Sequence, residues 1–174
     1  AATDQMLDSP TNNFATLNPL NIGDFNTTYG STTFSEGNLK FTTPYVGQVT
    51  NNIGVNSGKW YFEFLNASDN KGVGFVKTSN PQVNGYYSGF MDAYFSMGGA
   101  ASAGDVVSIK VDFDASTAEY AVNNGSYVAF SGSLVSGETY LLSVGRWSGT
   151  GAGADYVNFG QDSSFAGNKT SQGN

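Results

Sequence analysis

The chain has 174 residues, 39% of them hydrophobic and 14% aromatic, which suits one folded domain with a sizeable core rather than a disordered segment. Charged residues make up only 12%, and the balance of −7 with seven Lys and Arg leaves no cationic cluster to grip nucleic acid or an anionic membrane. Cys and His are both absent, which excludes disulfides, thiolate chemistry, imidazole metal ligands and the commonest general base.

With so little charge, Ser, Thr, Asn and Gly must cover the surface, a composition suited to extracellular or virion proteins. No run approaches the roughly 20 apolar residues of a membrane helix. The opening Ala1-Ala2-Thr3-Asp4 has no features of a signal peptide and no initial Met. The expectation is a removed leader or excision from a longer polypeptide.

Along the chain, apolar residues recur with period two and no helical period emerges. Residues 1–26, rich in Asn, Pro and Thr from Asp8 onward, are expected to form an extended N-terminal segment packed on the domain or on neighbours. Thr32 to Phe41 and Tyr45 to Val55 are the first strand candidates. From Lys59 to Leu65, Trp60, Phe62 and Phe64 point one way and Tyr61 and Glu63 the other. Val73 to Lys77 and Ala93 to Met97 follow. From Asp105 to Asp114, Val107, Ile109, Val111 and Phe113 form an inner row, and Val106, Ser108, Lys110 and Asp112 an outer one. Ala118, Tyr120 and Val122 repeat the alternation, and Tyr140 to Gly145 and Tyr156 to Phe159 complete the series.

Turn residues punctuate these runs. Asn56-Ser57-Gly58, Asp69-Asn70-Lys71-Gly72, Asn84-Gly85, Asp114-Ala115-Ser116-Thr117 and Asn123-Asn124-Gly125 supply the Gly, Asn and Asp that tolerate positive φ in tight hairpins. Many short strands at this spacing predict an all-β antiparallel sandwich over residues 27–160, with Trp60, Phe62, Phe64, Val107, Ile109, Val111, Phe113 and Tyr120 in its core. Residues 161–174 are expected to be a polar tail or linker, and both ends to take their order mainly from neighbouring chains or flanking polypeptide.

Several segments from Gly58 to Gly160 together resemble the SPRY (B30.2-like) family. Gly58-Lys59-Trp60-Tyr61-Phe62-Glu63-Phe64 is similar to that family's Gly-basic-aromatic-Tyr-aromatic-Glu strand. Gly72-Val73-Gly74-Phe75 is similar to the next strand, where small glycines permit close sheet packing. Gly104-Asp105 opens a hairpin arm that returns through Thr117 to Gly125, and Val157-Asn158-Phe159-Gly160 looks like the closing strand. The usual aromatic-Pro step is replaced by Glu138-Thr139-Tyr140-Leu141. The resemblance implies a concanavalin-like jelly roll and a structural role for Glu63. A second resemblance, of Leu7 to Leu20 and of Phe165 to Asn174, is to structural proteins of tailed bacteriophages. It implies a virion location, in a tail fibre, appendage or capsid-surface protein.

Catalysis is not expected. A glycosidase needs two carboxylates about 5.5 Å or about 6.5–9.5 Å apart, and Glu36, Glu63, Glu119 and Glu138 never share a strand face at i, i+2 spacing. A Ser nucleophile without His lacks its base. Asp112-Phe113-Asp114 with Glu119 offers the oxygen ligands that Ca²⁺ prefers, but the favoured reading is a hairpin whose Asp residues cap backbone N–H groups. Gly98-Gly99-Ala100 and Gly149 to Ala154 lead no helix and contain no Lys, so they are loops rather than phosphate cradles. The Asn-x-Ser/Thr triplets at Asn26, Asn66, Asn124 and Asn168 carry no weight in so polar a chain. No metal or other cofactor is expected.

The candidate binding residues are Tyr86 and Tyr87 beside the Asn84-Gly85 turn, with Arg146 and Trp147 at the base of a glycine loop. Aromatic and Arg side chains are enriched at binding hot spots. The expected function is therefore a non-enzymatic recognition or assembly module. Its expected partners are other virion proteins or host-surface molecules, protein or glycan, within a larger polypeptide or oligomer. A carbohydrate-binding module of the concanavalin-like class is the alternative.

Overall fold

A computed structural model describes residues 14–24, 30–43, 46–66, 71–79, 91–98, 100–146 and 153–169. These residues contain thirteen strands and no helix. In chain order they are β1 (Leu17–Asp24), β2 (Thr33–Ser35), β3 (Lys40–Thr42), β4 (Gly47–Asn51), β5 (Lys59–Leu65), β6 (Lys71–Lys77), β7 (Ala93–Ser96), β8 (Val106–Asp112), β9 (Thr117–Val122), β10 (Val128–Ala129), β11 (Ser131–Gly132), β12 (Tyr140–Arg146) and β13 (Asp155–Asn158).

Every pairing is antiparallel. One sheet has the order β1-β4-β12-β6-β7-β11 and the other β10-β9-β8-β5-β13-β3-β2. The two enclose one main core, in which Phe62 meets Phe159 edge-on at 5.5 Å and Phe75 meets Phe113 at 5.7 Å. Aromatic pairs favour this perpendicular arrangement. The inner row of β8 is buried as its alternation requires, with Val107 and Ile109 at 0% exposure.

Turn chemistry sets the registers. Asn123 and Asn124 both adopt positive φ (47° and 59°), and Gly125 N–H bonds the Val122 carbonyl at 2.8 Å, closing the β9–β10 turn. At Gly74 a Cβ would lie 2.3 Å from the Ala93 carbonyl oxygen, so only glycine admits β7 at this distance from β6.

Four features bear on the expectations, and the first two depart from them. Thr32 to Phe41 is a hairpin rather than one strand, because Glu36 (φ 52°), Gly37 (φ 61°) and Asn38 (φ 65°) turn the chain back. Trp60 is 43% exposed rather than buried, since the row it continues reaches the sandwich rim and its indole turns to the Ser57 carbonyl. The N-terminal segment, expected to pack on the domain or on neighbours, contributes an edge strand, β1, to the first sheet. Its register shifts between Leu17 and Ile22, around Pro19, which cannot donate to a ladder.

The fourth concerns the chain's end. Phe165 is 2% exposed and packs on Leu65, Val106 and Tyr156, on the outer face of the second sheet. Gln161 Nε2 donates to the Ala15 carbonyl at 2.8 Å, and Lys169 Nζ to that of Gly104 at 2.9 Å. Residues 161–169 thus contact the sandwich directly.

Candidate functional site

β12 ends at Arg146 and β13 begins at Asp155, so these residues form the two stems of the loop between them. Arg146 sits opposite Lys71 in the β12–β6 ladder and opposite Gly47 in the β12–β4 ladder. The Lys71 ammonium donates to Asp155 Oδ2. This pairing joins the two sheets, and Lys71, Arg146 and Asp155 are all buried. Burial pushes the Lys71 ammonium below its ordinary pKa, against the pull of the Asp155 carboxylate, and Arg146 is lowered for the same reason.

Arg146, expected among the contact residues, is therefore an anchor of the loop stem. The strand runs one residue beyond Gly145 and takes Arg146 into the ladder, with Asp155 from the other sheet as a nearby counter-charge. Tyr86, Tyr87 and Trp147 lie outside the described residues, as does most of the glycine loop after Trp147.

A second surface lies on the outer face of the second sheet. The turn carrying Phe165 covers one half of that face, over Leu65, Val106 and Tyr156. The other half is open. Lys59, Asp112 and Thr117 make one cross-strand row there, and Tyr61, Lys110 and Glu119 the next. They border a groove of about 440 Å³ with Trp60 among its lining. Lys59 pairs with Asp112 at 3.4 Å and Lys110 with Glu119 at 2.9 Å. The Lys110 ammonium also stands 3.9 Å from the centre of the Tyr127 ring.

The carboxylates around this face have structural work. Asp112 Oδ1 accepts from Ala115 N–H at 3.0 Å and Asp114 Oδ1 from Gly58 N–H at 3.1 Å, the capping arrangement expected of the hairpin. The Ala115 amide, reinforced by Lys59, holds Asp112 below the ordinary carboxylate range. Glu63 is 1% exposed and accepts from Asn158 Nδ2 at 2.8 Å and from the Tyr61 hydroxyl at 3.0 Å. Among the described residues no three His, Cys, Asp or Glu side chains gather as metal ligands would.

No protein-family model and no curated protein sequence matches this chain. Solved structures do. The SPRY domain of human HERC1 superposes with a TM-score of 0.61 at 16% identity, over 84% of this chain and 99% of that one. The TRIM65 PSpry domain gives 0.60 at 9% identity, over 84% and 92%. The fold is that of a SPRY domain. A stonustoxin structure also matches, with a TM-score of 0.55 at 16% identity, over 84% of this chain and 27% of that one.

On this SPRY fold the residues that carried the sequence resemblance are the central ones. Lys59–Leu65 is the middle strand β5, Gly72 to Phe75 lie in β6, and Val106–Asp112 with Thr117–Val122 form the β8–β9 hairpin. The open face was absent from the sequence-based site. Its signal was present in the outward assignment of Tyr61, Lys110 and Asp112, but only the cross-strand register brings Glu119 beside Lys110.

Proposed function

We propose that this chain is a non-enzymatic recognition and assembly module of a tailed-bacteriophage structural protein, carried on the virion in a tail fibre, appendage or capsid-surface protein. It contacts other virion subunits or host-surface molecules through the loop between Arg146 and Asp155, with Trp147 as a contact residue, whereas the segment carrying Tyr86 and Tyr87 leaves β6 at Lys77 and enters β7 at Ala93, at the opposite, Tyr140 end of β12. The observation that carries this reading is the buried Lys71–Asp155 pair beside Arg146. The pair fixes the Asp155 stem, and the β12–β6 ladder the Arg146 stem, of a glycine-rich loop that begins with a tryptophan. Binding residues are commonly carried on loops held by a rigid scaffold.

SPRY domains generally mediate protein–protein interaction, which supports a protein partner. The lack of His and Cys, together with the structural engagement of Glu63, Asp112 and Asp114, supports a non-enzymatic role. The resemblance of Leu7 to Leu20 to phage structural proteins supports the virion source. Trp147→Ala is the test, read by native mass spectrometry with the virion subunits. We expect binding to weaken by about 2 kcal/mol or more while stability changes by less than about 1 kcal/mol. Lost stability with binding intact would overturn the assignment.

A further inference from the structure

The open half of the outer face carries Tyr61 and Tyr127, with Trp60 of the inner row at its rim, and all three rings are exposed yet fixed. Trp60 is 43%, Tyr61 37% and Tyr127 38% exposed. Each is held at one point. The Trp60 indole N–H donates to the Ser57 carbonyl at 2.8 Å, the Tyr61 hydroxyl donates to Glu63, and the Lys110 ammonium sits over Tyr127. Rings tethered in this way lose little freedom when a ligand settles on them.

The charges between them cancel. Lys59 and Lys110 face Asp112 and Glu119, two cations against two anions, so the groove has no net field to select a charged ligand. Each pair keeps hydrogen-bonding capacity to spare. An ammonium has three donors and a carboxylate about four acceptor positions, and the Lys59, Lys110 and Glu119 side chains are 82%, 46% and 40% exposed.

A protein partner fits this surface poorly. Interface centres are depleted in Lys and Glu, and sealing Lys110–Glu119 under apolar side chains would desolvate an ion pair without replacing its water. A neutral oligosaccharide meets both demands. The C–H faces of its rings pack on aromatic surface, and its hydroxyls donate to carboxylates and accept from ammonium groups. The volume of about 440 Å³ lies within the range of small-molecule sites, roughly 300–1,000 Å³.

We propose that this face binds a neutral oligosaccharide, its rings against Tyr61 and Tyr127 with Trp60 at the rim and its hydroxyls on the Lys59–Asp112 and Lys110–Glu119 pairs. The site is independent of the Arg146 end and stands or falls without it.

The test is a titration of the isotopically labelled 174-residue chain with maltohexaose, cellohexaose, chitohexaose and mannohexaose in turn, followed by amide NMR. At least one of the four is expected to give saturable shifts centred on Tyr61, Lys110 and Tyr127. Tyr127→Ala, outside the core and safe for folding, is expected to weaken that binding about tenfold or more. Trp147→Ala is expected to leave it unchanged, which separates this site from the loop-end reading. No shift from any of the four sugars, shifts centred elsewhere, or unchanged affinity in Tyr127→Ala would each overturn the proposal. So would a virion protein found covering Tyr61 and Lys110.

Discussion

Lys71 at the start of β6 and Asp155 at the start of β13 form an ion pair that bridges the two sheets, with side-chain exposures of 3% and 0%. Water cannot replace either partner there. Removing one charge from a buried pair strands the other, at a cost of about 3–5 kcal/mol. Asp155→Ala is expected to lose stability on that scale in urea unfolding, with Lys71→Met/Asp155→Leu recovering much of it. A single Asp155→Ala variant of unchanged midpoint would show that solvent reaches the pair.

Neighbouring positions of β5 should respond in opposite ways. Phe62, 5% exposed and packed on Phe159 and Phe75, should cost about 3–5 kcal/mol on truncation to Ala. Trp60, 43% exposed, should cost less than about 1 kcal/mol. Thermal unfolding of the two variants measures the contrast. Equal losses would return Trp60 to the core.

That contrast marks what could be read from the sequence. Alternation in β5, β8 and β9 revealed the buried rows because one face of each strand lies in the core. It could not reveal where the row reaches the rim, so Trp60 was misassigned. Val106 and Leu65 belong to the outer face by alternation, yet are 0% and 7% exposed because Phe165, remote in sequence, covers them. The Lys71–Asp155 pair is hidden for the same reason, since it depends on which strand ends meet. Of the expected site, only Arg146 falls among the described residues, and its burial follows from one more ladder pair than the sequence suggested.

Phe165 carries the contact between the chain's last described turns and the second sheet. Phe165→Ala should cost about 3 kcal/mol and raise amide exchange in residues 161–169 above that of β8. Exchange unchanged by the substitution would mean that Gln161 and Lys169 hold this segment without the ring.

Those turns should also loosen in acid. Asp162 accepts from the Ser164 hydroxyl at 2.7 Å and from the Ala166 N–H at 2.6 Å, and these bonds hold its pKa below the ordinary 3.8. A depressed carboxylate stabilises the fold fully above its unfolded value and loses that contribution as pH falls through the folded one. Amide protection at Ser164 and Ala166 should therefore be constant from neutral pH to about 5 and decline below about 4. Asp162→Asn should show weaker protection near neutral pH and converge with the wild type in acid, once Asp162 is protonated. A decline already complete at pH 6 would contradict this assignment.

The central claim is that this SPRY fold recognises a macromolecular partner through the loops anchored by Arg146 and Asp155. A cryo-EM map of this chain bound to its native partner tests it most directly. We expect partner density against the loop between Arg146 and Asp155. A map in which that end faces open solvent while another face of the sandwich makes the contacts would contradict the account.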